Sequence, residues 1–217
     1  MTDVEFRAWP KTPRLFKDVT ITEKIDGTNG AIHVTEDGDV VAQSRKRLLS
    51  LDADNFGFAR WVYDHSDTLR NILGVGTHFG EWWGHGINRG YGCEQGERYF
   101  SLFNVNKWGH LRYSSPLDSL SCVPVLWTGE MDTAAVLDVA EKLQINGSQA
   151  KPGFMRPEGV CLFHSASNSI YKYPFDKDDK PAPIAKADYW EVEMAPDPLP
   201  RPKTFKDKVK EMFWLMA

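Results

Sequence analysis

The chain has 217 residues, 41% hydrophobic and 12% aromatic, enough to bury a sizeable core, so it is not a disordered tract. Its 26 basic and 30 acidic residues leave a net charge of −4, which argues against bulk electrostatic coating of nucleic acid but leaves room for a local basic groove. Cys93, Cys122 and Cys161 lie far apart without a CxxC pair, which excludes a disulfide scaffold and a cysteine zinc framework. The opening MTDVEFRAWPK lacks the apolar core of a signal peptide, and no uninterrupted apolar run is long enough to cross a bilayer. The expectation is a cytoplasmic protein without a membrane span.

Taken in chain order, residues 19–24 and 31–34 read as strands on either side of a glycine turn, Gly27-Thr28-Asn29-Gly30. Asp37-Gly38 signals a hairpin into a third strand, Val40 to Ser44. From Asp54 to Ile72, Phe58, Trp61, Val62, His65, Leu69 and Ile72 recur at helical spacing and predict one amphipathic helix, with His65 packed or hydrogen-bonded on its face. The stretch THFGEWWGHGINRGYG, residues 77–92, begins as a strand and ends as a glycine-rich loop carrying Arg89 and Tyr91. Tyr99 to Val105 reads as a strand. Thr133 to Leu143 sets Ala135, Val136, Val139, Ala140 and Leu143 on one helix face behind Asp132 as N-cap. Residues 159–164 and 169–173 read as two further strands.

Residues 174–202 are rich in proline and charge and read as a wrapping or linker segment. Thr204 to Met216 can form a short helix, with Phe205, Val209, Met212 and Phe213 on one side. Lys203, Lys206, Lys208 and Lys210 make its other side basic, a surface suited to a phosphate backbone. Antiparallel strands with a few helices give an α+β class. The expected organisation is one domain over residues 1–175, then a linker and short helical tail over 176–217.

No P-loop, dinucleotide-binding glycine pattern or nucleophile elbow is present. Charged residues do recur at strand ends. Lys24 ends the first strand between Glu23 and Asp26, and Arg45 ends the third. Glu81 sits inside the aromatic strand FGEWWG. Glu158 opens EGVCLF, and Lys172 lies between two tyrosines. A carboxylate inside an aromatic strand is costly unless it is paired. Several such residues in separate strands point to one shared polar cleft.

These residues carry a resemblance. KIDGTN, residues 24–29, resembles the KxDGxN signature of covalent nucleotidyltransferases, and within them the ATP-dependent RNA ligase branch. Ser44-Arg45, FGEWWG at 79–84, FNV at 103–105, EGV at 158–160 and the lysine strand at 170–173 follow in that family's order. The resemblance covers about residues 5–175. It implies an ATP-grasp-like ligase adenylation domain, built of antiparallel sheets flanked by helices. It also implies the chemistry. Lys24 would attack the α-phosphate of ATP to give lysyl-AMP, AMP would pass to a 5′-phosphate end, and a 3′-OH would displace it. Asp26, Asn29, Arg45 and Lys172 would share the catalytic work with Lys24.

Nucleotide contacts implied by the resemblance are Glu23 near the adenine, Gly27 in the turn, Arg45, Glu81 on the ribose hydroxyls and Lys172 on the α-phosphate. Phe103 would stack on the base, with Phe100 as the alternative because the register of that strand is open. Glu158 would bind Mg²⁺, or Mn²⁺ in its place. The substrate would be RNA ends, with a DNA nick ligase or a non-catalytic nucleotide- or end-binding module as alternatives. A small ligase of this kind suits a phage, and an end-healing kinase or phosphatase would be a natural partner. The family's closing K-x-K is reduced to Lys172, with Lys177 and Lys180 further along. Only 45 residues follow Lys172, too few for the separate OB-fold domain of DNA ligases and capping enzymes.

Chemistry fits these assignments. An amine attacks phosphorus only when unprotonated, and an ordinary lysine is almost wholly protonated at neutral pH. A cation beside it, Lys172 or a bound metal, favours the free amine. Pyrophosphate departure likewise needs positive charge at the phosphates.

Overall fold

The structure, a computed structural model, describes residues 5–176. Two sheets organise it. The first has the strand order β7-β1-β8-β9, from β1 (Asp18–Lys24), β7 (Val125–Glu130), β8 (Gly159–His164) and β9 (Ser169–Pro174). The second has the order β3-β2-β4-β5-β6, from β2 (Thr28–Val34), β3 (Val40–Ser44), β4 (Gly76–Gly84), β5 (Arg98–Leu102) and β6 (Leu120–Cys122). All pairings are antiparallel except β5 with β6.

Strand alternation makes the cores. In β1, Val19, Ile21 and Glu23 point to one face and Thr20, Thr22 and Lys24 to the other. The first face packs with Val160 and Leu162 of β8 under helix α5 (Thr133–Asn146), whose Val136, Val139, Ala140 and Leu143 complete a cluster. The N-cap is the expected Asp132, whose side chain accepts from Ala134 N at 2.9 Å. In the second sheet, Ile32, Trp82, Phe100 and Leu102 pack on helices α1 (Phe58–Asp64) and α2 (Ser66–Leu73).

Four sequence expectations change. The glycine turn after Lys24 is shorter than expected: Thr28, Asn29 and Gly30 already belong to β2, and residues 25–27 carry the chain from the first sheet to the second. The single helix over 54–72 is two, because the backbone leaves helical geometry at His65 (φ −114°, ψ 16°). His65 is hydrogen-bonded as expected, its Nδ1 meeting the Trp61 carbonyl at 2.7 Å. The strand expected over 99–105 stops at Leu102, and Asn104 caps a short helix α3 (Val105–Trp108) by accepting from Lys107 N at 3.1 Å. Two short strands, β6 and β7, and a second short helix α4 (Leu111–Ser114) were not anticipated. The expected linker and tail, from residue 177 on, lie outside the described residues.

Candidate active site

Lys24 is the last residue of β1, opposite Gly159 in β8. That register sets it beside Glu158, and Nζ lies 2.6 Å from both carboxylate oxygens. The two side chains are 23% and 17% exposed, so the pair is shielded but reachable. Burial pushes the Glu158 carboxyl above its ordinary range, and the Lys24 ammonium opposes that shift.

The segment after Lys24 is tightly held. Asp26 N donates to the Tyr91 hydroxyl at 2.9 Å. The Asp26 carboxylate accepts from Asn88 Nδ2 at 2.8 Å and pairs with Arg89 Nε at 3.0 Å. Arg89 also reaches the Arg156 carbonyl and the Asp176 carboxylate, so it ties the inter-sheet segment to the chain on either side of β8 and β9. Gly27 is required by close approach: a Cβ there would stand 2.4 Å from the Trp82 carbonyl oxygen and 2.8 Å from Trp83 Cβ.

Glu81 faces the segment from β4, directly opposite Asn29. It accepts from Asn29 Nδ2 at 2.8 Å and from Gly27 N at 3.2 Å. Burial pushes its carboxyl up to about 7; Lys24's charge and these hydrogen bonds act against burial, and Glu158 acts with it. A carboxylate in an aromatic strand is thus accommodated by donors from the KIDGTN stretch itself.

Lys172 lies in β9 opposite Cys161, which is opposite Thr22. The Cys161 thiol is pushed up, mainly by burial; Lys24 and Lys172 pull it down, while Glu158 and Glu81 push it up. One sulfur therefore feels four of the charged residues that the sequence singled out.

Three residues stand apart from this group. Glu23 is 1% exposed and turns away from Lys24. It accepts from Ser148 Oγ at 2.6 Å, Gln149 N at 2.7 Å and Ala150 N at 2.9 Å, so its carboxylate is saturated by the loop behind β1. Arg45 is exposed just past β3, whereas its neighbour Arg47 folds onto the Leu48, Ala53 and Asp54 carbonyls. Phe103 follows the end of β5, 38% exposed, with its N–H on the Phe79 carbonyl at 3.0 Å. Phe100 is fully buried against Phe58, 4.9 Å between ring centres, and cannot take a base. Lys177 and Lys180 lie outside the described residues.

Sequence reading gave no role to Asn88, Arg89 and Tyr91. The available signal was the glycine-rich loop, where Asn88 (φ 43°) and Tyr91 (φ 51°) adopt the left-handed conformation that side chains disfavour. That conformation brings both onto the Asp26–Gly27 backbone.

A family description of RNA ligase matches residues 17–174. The chain belongs to the RNA ligase family. A comparison with curated protein sequences finds no match. Among solved structures, a Naegleria gruberi RNA ligase with ATP and Mn aligns at a TM-score of 0.50 and 16% identity, over 72% of this chain and 48% of that one. A second structure of that ligase with ATP and Mn gives 0.52 at 17% identity, and one with AMP and Mn gives 0.50 at 18%, each over 72% of this chain and 49% of the other. The chain thus spans about half the length of the ligase chains it matches, and the likeness establishes the shared α+β fold. Among the described residues no helix is long and apolar enough to cross a membrane.

Proposed function

We propose that the protein is an ATP-dependent RNA ligase working through a lysyl-AMP intermediate on Lys24, with residues 1–175 as its adenylation unit. The observation that carries the reading is the Lys24–Glu158 pair at the end of β1, facing Glu81 and Asn29 across the inter-sheet segment. In the first step Nζ, having shed a proton, attacks the α-phosphorus; a P–N bond forms, the Pα–O–Pβ bond breaks, and pyrophosphate leaves. In the second, an oxygen of an RNA 5′-phosphate attacks the same phosphorus and Lys24 is released. In the third, a 3′-OH attacks the former 5′-phosphate, the strand is joined and AMP departs.

Residues of the chain divide this work. Glu158 orients the amine. Arg89, Asn88 and Tyr91 hold the segment that follows it, so the nucleophile leaves from a fixed ledge. Glu81 takes the ribose hydroxyls, Phe103 stacks on adenine, and Lys172 and Arg45 face the phosphates. The saturated carboxylate of Glu23 supports β1 from behind.

A divalent metal fits Glu158: the carboxylate already holds a cation, the Lys24 ammonium, and is partly accessible. Mg²⁺ is content with one or two carboxylates plus substrate phosphates and water, and Mn²⁺ accompanies ATP in the Naegleria ligase. When bound, such an ion neutralises phosphate charge as pyrophosphate leaves.

The test is incubation with ATP labelled at the α-phosphate plus Mg²⁺ or Mn²⁺, then denaturing electrophoresis. Wild type should carry a covalent label and join 5′-phosphorylated RNA to a 3′-OH end. Lys24→Ala should carry none while folding normally. A labelled band surviving in that variant overturns the assignment.

A further inference from the structure

One face of the second sheet is buried; the other is buried around Ala31, Glu81, Trp83 and Ser101 and opens to solvent at Phe79 and Phe103. On the buried side Ile32, Trp82, Phe100 and Leu102 are at most 2% exposed. On the other side Asn29, Thr77, Phe79 and Phe103 are open to solvent. Phe79 stands out: it is 57% exposed although its chain neighbour His78 is 5% exposed. It is two residues from Glu81 on β4 and therefore on the same face. Its cross-strand neighbour on β2 is Ala31, whose small side chain leaves its ring uncovered; on the β5 side lies Phe103.

The margins of this face are polar and basic. His33 is fixed by both ring nitrogens, Nδ1 to Thr77 Oγ1 at 2.8 Å and Nε2 to Gln43 Oε1 at 2.6 Å. Arg45 and Lys46 stand exposed where β3 ends. Exposed aromatic planes beside a basic edge are the composition that holds single-stranded nucleic acid, the rings taking bases and the cations taking phosphates. A protein partner would bury a larger apolar area than two phenyl rings among polar groups provide.

We propose that Phe79 is a stacking platform for RNA, taking the base of the nucleotide that carries the 5′-phosphate. The inference rests on the ligase reading above. With adenine on Phe103, the donor's first nucleotide is linked to AMP through a pyrophosphate and must lie close by. Phe79 is an exposed aromatic ring beside Phe103 at the open end of that face, and it lies on the Glu81 strand.

The experiment compares wild type, Phe79→Ala and Phe79→Tyr in autoadenylation and in joining of a 5′-phosphorylated RNA. Each assay is repeated with an RNA whose first donor nucleotide is abasic. Loss of one stacked base raises the half-saturating RNA concentration about tenfold. Phe79→Ala should therefore lose about tenfold more in joining than in label transfer, and Phe79→Tyr should restore joining. With the abasic donor, wild type and Phe79→Ala should become equal. Equal joining on normal RNA overturns the proposal, as does a loss of label transfer that matches the loss of joining. A difference that persists on the abasic donor also overturns it. If wild type neither takes label nor joins RNA, the ligase reading itself fails.

Discussion

Glu23 and Lys24 are neighbours in sequence and opposites in environment. One carboxylate is sealed behind β1 with three donors, from Ser148, Gln149 and Ala150. One ammonium faces the cleft with a single carboxylate, Glu158, as its partner among the described residues. The difference arises because successive strand residues point to opposite faces. Strand alternation alone converts an acidic-basic dipeptide into a structural tie and a reactive group. A carboxylate enclosed by fixed donors is committed to the fold; a charge with an exchangeable partner remains free to do chemistry.

That contrast can be broken from either side. The largest expected effect is on Lys24. Lys24→Arg should lower label transfer by about a thousandfold or more, because a guanidinium stays protonated and is a poor nucleophile. Its melting temperature should remain close to wild type, since one partly exposed ion pair is lost or replaced. Differential scanning fluorimetry beside the labelling assay checks both halves. Activity surviving in Lys24→Arg would remove Lys24 from the chemistry.

Glu23→Ala should behave in reverse. It takes the acceptor from the Ser148 hydroxyl and the Gln149 N–H in a buried site and leaves Ala150 N with Ser148 Oγ alone, a loss of about 3 kcal/mol in urea unfolding. Label transfer per folded molecule should stay within a few-fold of wild type. A large activity loss at unchanged stability would mean that Glu23 serves the nucleotide and not the fold.

The smallest effect concerns Glu81 and is visible only as a function of pH. Its carboxyl, with an ordinary value of 4.5, holds its proton up to about 7 in the folded protein. Between those values the folded state binds more protons than the unfolded chain, so this group makes stability fall as pH rises. Its favourable contribution is complete below 4.5 and lost through about 7. Glu81→Gln should flatten that part of the stability–pH curve. Urea midpoints at pH 5, 6, 7 and 8 would reveal an unchanged slope if burial were not the cause.

Local patterns were legible where local forces decide the outcome. β3 begins and ends at Val40 and Ser44 as read, and Asp132 caps α5 as expected, because a turn and a cap are settled within a few residues. The structure brings Lys24 against Glu158, and both charges act on Glu81. Non-local choices were hidden. Gly27 read as a turn residue, but its lack of a side chain serves close approach to Trp82 and Trp83 on another strand. Three-residue β6 owes its existence to pairing with Phe100, Ser101 and Leu102, a force absent from its own composition. Glu23 read as a nucleotide contact because its burial depends on a loop 125 positions away.

Lys24 belongs to a sheet whose core includes α5, and Glu81 to a sheet whose core includes α1 and α2; among the described residues the two clusters share no buried residue. Ile25, Asp26 and Gly27 connect β1, which ends at Lys24, to β2, whose Asn29 pairs with Glu81 on β4. Three residues limit the reach of that link to about 10 Å by bond lengths alone. The spacing between nucleophile and acid is thus set by a short covalent link from β1 to β2 and then by the β2–β4 pairing, with Ile25 anchored in the second core. Either core can drift in sequence, one side chain at a time, without moving the other half of the site. The same link leaves the segment itself no such latitude: a single inserted or deleted residue between Lys24 and Thr28 would shift both halves at once.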